Sequence, residues 1–395
     1  MADDIHEQIL KSVTALSKKQ TIWRRHLHQY PELSNQEFQT TAYLNELLHG
    51  LSIKTKKITL PTGILAEIKG TENGPVVAVR TDIDALPILE QTDLSFKSKN
   101  IGCMHACGHD IHMTVLLGVA AVLHEHKDKL AGSVRFIFQP AEEMPPGGAV
   151  PMIENGALKD VKMIFGLHVD PHLAVGKIGL RDGVTMAAVT DFDLIIRGTG
   201  GHAARPQNAV DAIVTAAEIV NSLQKIISRE VDPIEPVVIT FGKMNGGTAR
   251  NVISDEVRLE GTVRTLSAKT ASFVPKRIKQ VVDAICKGQR AKAEMNIIAT
   301  YPVLANDKKV NTILRQSFET LYGRGKIEET PQVLGGEDFA CYLSQTAGAM
   351  FRLGTMNKSI AADKSWHSPH FKVDEKAIPV GTATLALAVI NTLRK

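Results

Sequence analysis

Ten residues, Cys103-Met-His-Ala-Cys-Gly-His-Asp-Ile-His112, carry two thiols, three imidazoles and a carboxylate. The apolar run Val115 to Leu123 follows at once. The stretch therefore reads as a loop that enters a helix N-terminus, and the chain must fold so that other elements supply partners to it. Thiolate and neutral imidazole are ligands that borderline-soft transition metals prefer. The partial positive charge of a helix N-terminus favours thiolate over thiol. The competing reading is two small buried cysteines beside surface histidines, and the rest of the chain has to decide between them.

The other apolar segments supply such partners. A strand over Val76 to Arg80 leads into Thr81-Asp-Ile-Asp-Ala-Leu-Pro87, which places two carboxylates at its end. A buried carboxylate needs a pairing group, a metal or a ligated histidine; the alternative for Asp82 is loop capping. The strand Ser133 to Gln139 delivers Pro140-Ala-Glu-Glu143, and Val161 to Leu167 delivers His168. Adjacent glutamates at a strand mouth can divide the labour, one holding a metal and one handling protons. Carboxylates, thiols and imidazoles thus all arrive at strand ends, the edge where open α/β sheets bind ligands.

Before these strands, residues 5 to 50 read as helices broken at Pro31-Glu-Leu-Ser34, with Asn35 as the cap of the second. Character changes near Gly183. Thr190 to Arg197 alternates like a strand, Gly198 to Pro206 is a glycine-rich loop carrying His202, and Ala209 to Ser228 is an amphipathic helix. Strands at Pro236 to Met244 and Glu256 to Thr265, a helix over 269–287 and a strand at Glu294 to Tyr301 complete a strand-helix-strand-strand-helix-strand unit. α/β character returns from about 302 and ends in a helix, Pro379 to Leu393. The fold class is α/β with an inserted α+β unit. The expected segments are 1–182, 183–299 and 300–395.

Composition excludes several function classes. A net charge of +4 over 395 residues, without a basic tract interleaved with aromatics, speaks against a nucleic-acid partner. No run of about 18 apolar residues exists, so no membrane span is expected. Met1 to Ser12 lacks an apolar signal core, and four cysteines make no disulfide framework. Both fit a reducing cytoplasm.

Eight motifs, in order, resemble the M20 family of metallopeptidases and amidohydrolases, on its N-acyl-amino-acid hydrolase branch (aminoacylases, hippurate hydrolases, auxin-conjugate hydrolases). They are Arg25-His-Leu-His-Gln-Tyr-Pro-Glu32, Thr81-Asp-Ile-Asp-Ala-Leu86, Met104-His-Ala-Cys-Gly-His-Asp110, Gln139-Pro-Ala-Glu-Glu143, Gly200-Gly-His-Ala203, Asn251-Val-Ile253, Gly335-Gly-Glu-Asp-Phe339 and His367-Ser-Pro369. The resemblance covers nearly the whole chain. It implies a metal-dependent aminopeptidase/carboxypeptidase-like catalytic domain with a ferredoxin-like lid or dimerisation domain inserted.

It also implies a site. Two divalent ions (Zn, Mn, Co or Ni) would be held by Cys107, His109, Glu143, His168 and His367, with Cys107 as the bridge. Cys103 and His105 are the alternative thiol and imidazole; Cys107 and His109 match the family positions. Glu142 would be the general base, Asp84 would orient a ligand, and His202 would hold the scissile carbonyl, in many members from a partner subunit. Asn251 and Arg264 would engage the substrate's free carboxylate. The implied substrate is a small N-acyl amino acid or a peptide, and the implied assembly a homodimer or dimer of dimers. His112, His124 and His126 fall on the following helix and carry no expected role; His370 stands three residues beyond a proposed ligand. Two departures from the family pattern bear on the substrate: Met144-Pro-Pro-Gly-Gly148 after the paired glutamates, and Gln207 after Arg205-Pro206.

Overall fold

A computed structural model describes residues 4–394. The chain divides into two units. The first comprises Met1–Gly183, Ala305–Pro331 and Cys341–Lys395, and the second Val184–Leu304 and Gln332–Ala340. Gln332–Ala340 lies within the segment expected to return to the first unit. Backbone bonds explain its place: Val333 N–H donates to Thr185 O and Ala187 N–H to Gly335 O, both at 3.0 Å.

The first unit is built on an eight-stranded sheet. At its centre Glu72–Asp82 runs parallel to Ala131–Gln139 on one side and to Val161–Ala174 on the other, and Val161–Ala174 runs parallel to Ala347–Met356. Parallel strands need both faces covered, and these read as unbroken apolar runs. Phe136, Phe165 and Phe351 are fully buried in that core. The helices His109–Glu125 and Ala377–Leu393 pack against each other and against Asp4–Gln29. Gln20 fastens all three, its amide donating to Thr382 Oγ1 at 2.8 Å and to Thr114 O at 3.3 Å. Gly118 leaves room for that arrangement, since a Cβ there would lie 2.1 Å from the Gln20 amide nitrogen and push it off its two acceptors.

Parallel orientation brings the C-terminal ends of these strands to one edge. Asp82 ends one strand and Gln139 another. His168 differs from expectation: its strand continues to Ala174, so the residue sits within it. It lies two residues past Gly166, where the pairing with Arg80 of the central strand ends, while on the other side it still pairs with Arg352. The second helix of the chain, Phe38–Gly50, is also not capped by Asn35, which adopts a φ of 64°. The Glu32 carboxylate caps it instead, accepting from the backbone N–H of Gln39 at 3.1 Å and of Thr40 at 2.8 Å.

The second unit is built on a four-stranded antiparallel sheet. Ala188–Arg197 and Glu256–Thr265 lie inside, Val237–Gly246 and Lys292–Tyr301 at the edges. Its strand-helix-strand-strand-helix-strand order with this pairing is the ferredoxin-like arrangement. Phe192, Leu194 and Ile196 alternate onto one face, where Ile219 and Leu223 of one helix and Ile278 and Val282 of the other cover them. A two-stranded ribbon pairs Gly201–His202 with Val252–Ile253.

Candidate metal centre

The expected ligands come together at the C-terminal edge of the first unit's sheet. Donor atoms of Cys107, His109 and His168 lie within 4.8 Å of one another, as do those of Cys107, Glu143 and His367, and those of His109, Glu142 and Glu143. Cys107, His109 and Glu143 each belong to two of these triads, and among them a thiolate is a donor able to serve two ions at once. Cys103 and His105 belong to none among the described residues. Burial and the negative charges of Glu32 and Asp84 push the Cys103 thiol up to about 12, and burial brings His105 down to about 4.

Backbone geometry aims each donor. The loop reaches the helix His109–Glu125 through Gly108 in a left-handed conformation. His109 Nδ1 donates to Asp84 O at 2.8 Å, closer than the 3.3 Å to the Asp84 carboxylate, so its backbone carbonyl orients the ring. The carboxylate itself accepts from Glu143 N–H at 2.9 Å and Ser34 Oγ at 2.7 Å, fixing the backbone beside the paired glutamates. Ala141 and His367, at φ 52° and 61°, hold backbone that side chains rarely adopt, and such strain gathers at functional sites. Each is tied down, Ala141 N–H to Glu37 at 2.8 Å and His367 N–H to Ala106 O at 2.9 Å.

The residues fit a divalent cation. His109 Nε2 and Glu143 Oε1 are buried without a hydrogen-bond partner, 3.8 Å apart, and His367 Nε2 is 3.5 Å from the same oxygen. Burial opposes charge on His109, but Asp82, Asp84 and Glu143 outweigh it and push the imidazole up to about 10. Burial, then Glu143, Glu142 and Asp82, hold the Cys107 thiol well above its usual value. Burial and these anionic neighbours favour the thiol, against the pull of the helix N-terminus toward thiolate. Thiol, imidazole and carboxylate are the donor types of first-row transition ions.

His202, Asn251 and Arg264 belong to the second unit. His202 pairs with Val252 in the ribbon, and just beyond it Ala203 N–H donates to Asn251 O at 3.1 Å; the His202 ring is exposed and Nδ1 accepts from Ala204 N–H at 3.1 Å. Half-buried Arg264 donates from Nε to Thr262 Oγ1 at 3.1 Å. His126 Nε2 lies 3.1 Å from Ser12 Oγ, and His370 Nδ1 lies 3.0 Å from Gln91 O. His112 is the residue that sequence reasoning misses. It is fully buried, with Nδ1 at 2.6 Å from Asp82 Oδ1, so Asp82 pairs with it rather than capping a loop. Its position three residues after His109, on the same helix face, is the signal that points to it.

The family model of peptidase family M20/M25/M40 matches residues 78–391. The chain belongs to that family. It is a metal-dependent hydrolase of amide bonds. This M20 enzyme is 42% identical to N-acetyl-L-cysteine deacetylase of Bacillus subtilis over 367 residues, an alignment covering 93% of this chain and 86% of the relative. Thermostable carboxypeptidase 1 of Saccharolobus solfataricus is 37% identical over 94% of this chain and 95% of its own. The crystal structure of Bacillus subtilis YXEP, a dinuclear metal-binding peptidase of the M20 family, superposes with a TM-score of 0.84 at 37% identity, over 96% of this chain and 99% of that one.

Proposed function

We propose that this M20 hydrolase removes the acyl group from small N-acyl amino acids, using two divalent ions held by Cys107, His109, Glu143, His168 and His367. The observation that carries the reading is the pair of triads that share Cys107 with Glu142 beside them. The deacetylase relative supports the substrate class, and the dinuclear relative supports two ions. The candidate ions are zinc, manganese, cobalt and nickel, all compatible with mixed thiolate, imidazole and carboxylate donors.

Bound there, divalent ions supply Lewis acidity and make water a competent nucleophile near neutral pH. The chain's own residues do the rest. Glu142 accepts the proton of the attacking water and returns it to the leaving amine, the ordinary work of a positioned carboxylate. Asp84 keeps the backbone of Glu143 and the ring of His109 in place for both steps. In this reading His202 serves the scissile carbonyl, and Asn251 and Arg264 serve the substrate carboxylate. A homodimer and a cytoplasmic setting belong to the same proposal.

The test is removal of metal, reconstitution with each of the four ions, and a screen of N-acetyl and N-benzoyl amino acids against dipeptides. Turnover of the acyl amino acids that vanishes on chelation and returns with metal is expected. Preference for dipeptides would favour the peptidase activity of the carboxypeptidase relative, and full activity without metal would overturn the mechanism. Glu142→Gln is expected to keep its metal while kcat falls at least about a hundredfold. Turnover within a few-fold of the parent would remove Glu142 from the role of base.

A further inference from the structure

Val169, the residue after His168, is held at both of its peptide groups. Its N–H donates to His112 Nε2 at 3.0 Å. Its carbonyl accepts from His168 Nδ1 at 2.8 Å and from the Trp366 indole N–H at 3.1 Å. Its side chain closes on Gly108, where an added Cβ would come within 2.4 Å of Val169 Cγ2. One residue therefore touches the turn between Cys107 and His109, the ring of His168, and the residue that precedes His367.

His112 ties this hub to the central strand. Its Nδ1 lies 2.6 Å from Asp82 Oδ1, and Arg80 holds the other Asp82 oxygen at 2.8 Å. The proton positions follow from the partners. A backbone N–H can only donate, so His112 Nε2 is the bare nitrogen and Nδ1 carries the hydrogen given to Asp82. A carbonyl can only accept, so His168 Nδ1 carries its hydrogen and Nε2 is bare, 3.4 Å from Cys107 Sγ.

Asp82, His109 and His112 also cluster closely enough to hold an ion of their own. Their atoms are already committed against it. Both His112 nitrogens have partners, both Asp82 oxygens are taken by His112 and Arg80, and His109 Nδ1 donates to Asp84 O. The cluster is a support.

We propose that His112 is a positioning residue: by holding the Val169 amide from the anchored Asp82 carboxylate, it fixes the tautomer and aim of His168 at the candidate metal centre. The inference rests on reading Cys107, His109, Glu143, His168 and His367 as a metal centre. Outer partners of ligating imidazoles commonly carry a ten- to hundredfold effect on metal affinity.

Three variants separate this role from plain structural support. His112→Gln keeps an acceptor for the Val169 N–H and loses the donor to Asp82. His112→Asn keeps the donor and loses the acceptor. Trp366→Phe removes one donor to the Val169 carbonyl and leaves the buried Arg80, Asp82 and His112 untouched. Metal-free proteins, checked for fold by circular dichroism and melting, are titrated with Zn²⁺ against a chromophoric chelator and with Co²⁺ by absorption. His112→Asn is expected to bind zinc ten- to hundredfold more weakly, with an altered cobalt spectrum. His112→Gln is expected to recover most of that loss although it leaves Asp82 short of a donor, and Trp366→Phe to fall between. Equal losses in Gln and Asn, tracking melting temperature alone, would make His112 merely structural. If His112→Asn does not fold, Trp366→Phe decides: affinity within twofold of the parent overturns the proposal. A parent chain that binds no metal would instead sink the metal-centre reading on which the inference rests.

Discussion

Gly108 shows how tightly single positions are specified around the donors. At φ +89° it stands in the left-handed region, and its missing Cβ makes room for Val169. Gly108→Ala is expected to cost about 1–2 kcal/mol from backbone handedness alone, with the contact to Val169 adding to it. Thermal melting of the metal-free variant measures the stability loss, and zinc titration its consequence for binding; an unchanged melt would show that the turn adapts freely. Cys107→Ala tests the shared donor. Both triads lose it together, so metal analysis is expected to show loss at both positions rather than one, and full occupancy would place the bridge elsewhere. The donor residues are legible in the sequence because they fall in short motifs whose residue types already imply their chemistry. Asp82 is half-legible, as a buried carboxylate that needs a partner, but His112 and Trp366 are not, because their roles depend on hydrogen bonds to the Val169 backbone from two separate elements. A histidine on an apolar helix face looks the same in sequence whether it fills space or holds a neighbour's amide.

Elements are easier to read than their ends. Apolar runs and period-matched faces locate the central strands and the two helices that cover the ferredoxin-like sheet, since burial of a face leaves its period in the sequence. The cap of Phe38–Gly50 escapes such reading because the capping carboxylate, Glu32, comes from before the turn and not from the residue nearest the helix. Glu32→Ala is expected to destabilise the protein by about 1 kcal/mol, the usual worth of a cap, as a lowered melting midpoint; no change would mean the helix end is satisfied otherwise. The sheet edge offers a pH prediction. Glu67 receives Lys56 from one neighbouring strand and Arg135 from the other. Burial pushes its carboxyl up, but the hydrogen bonds from Lys56 and Arg135 outweigh burial and hold it below its ordinary value. A lowered folded-state value means stability that is present above the unfolded carboxyl value and lost as pH falls through the folded one. Melting temperature against pH should therefore drop on the acid side less steeply in Glu67→Gln than in the parent; parallel curves would show that the pair contributes nothing to acid lability.

At the scale of the whole molecule, two separate cores set what metal can stabilise. One cluster of buried side chains underlies the eight-stranded sheet, and a second, from Phe192 to Cys286, underlies the ferredoxin-like sheet. All five proposed ligands and Glu142 stand on the first unit. An ion that binds only the folded state adds stability by mass action, about 2.7 kcal/mol at a hundred times its dissociation constant. The carboxylates around His109 and Cys107 favour that binding, because the ion offsets their charge. Chelation should thus act on one core and leave the other. Calorimetry of the loaded and stripped protein is expected to show two transitions, the one that chelation lowers by several degrees belonging to the first unit and the other holding to within about a degree. Limited proteolysis at the intermediate temperature then identifies which unit has opened. A single transition that moves as a whole would mean that the two cores melt as one cooperative body, and that metal binding in the first unit stabilises the second as much as its own.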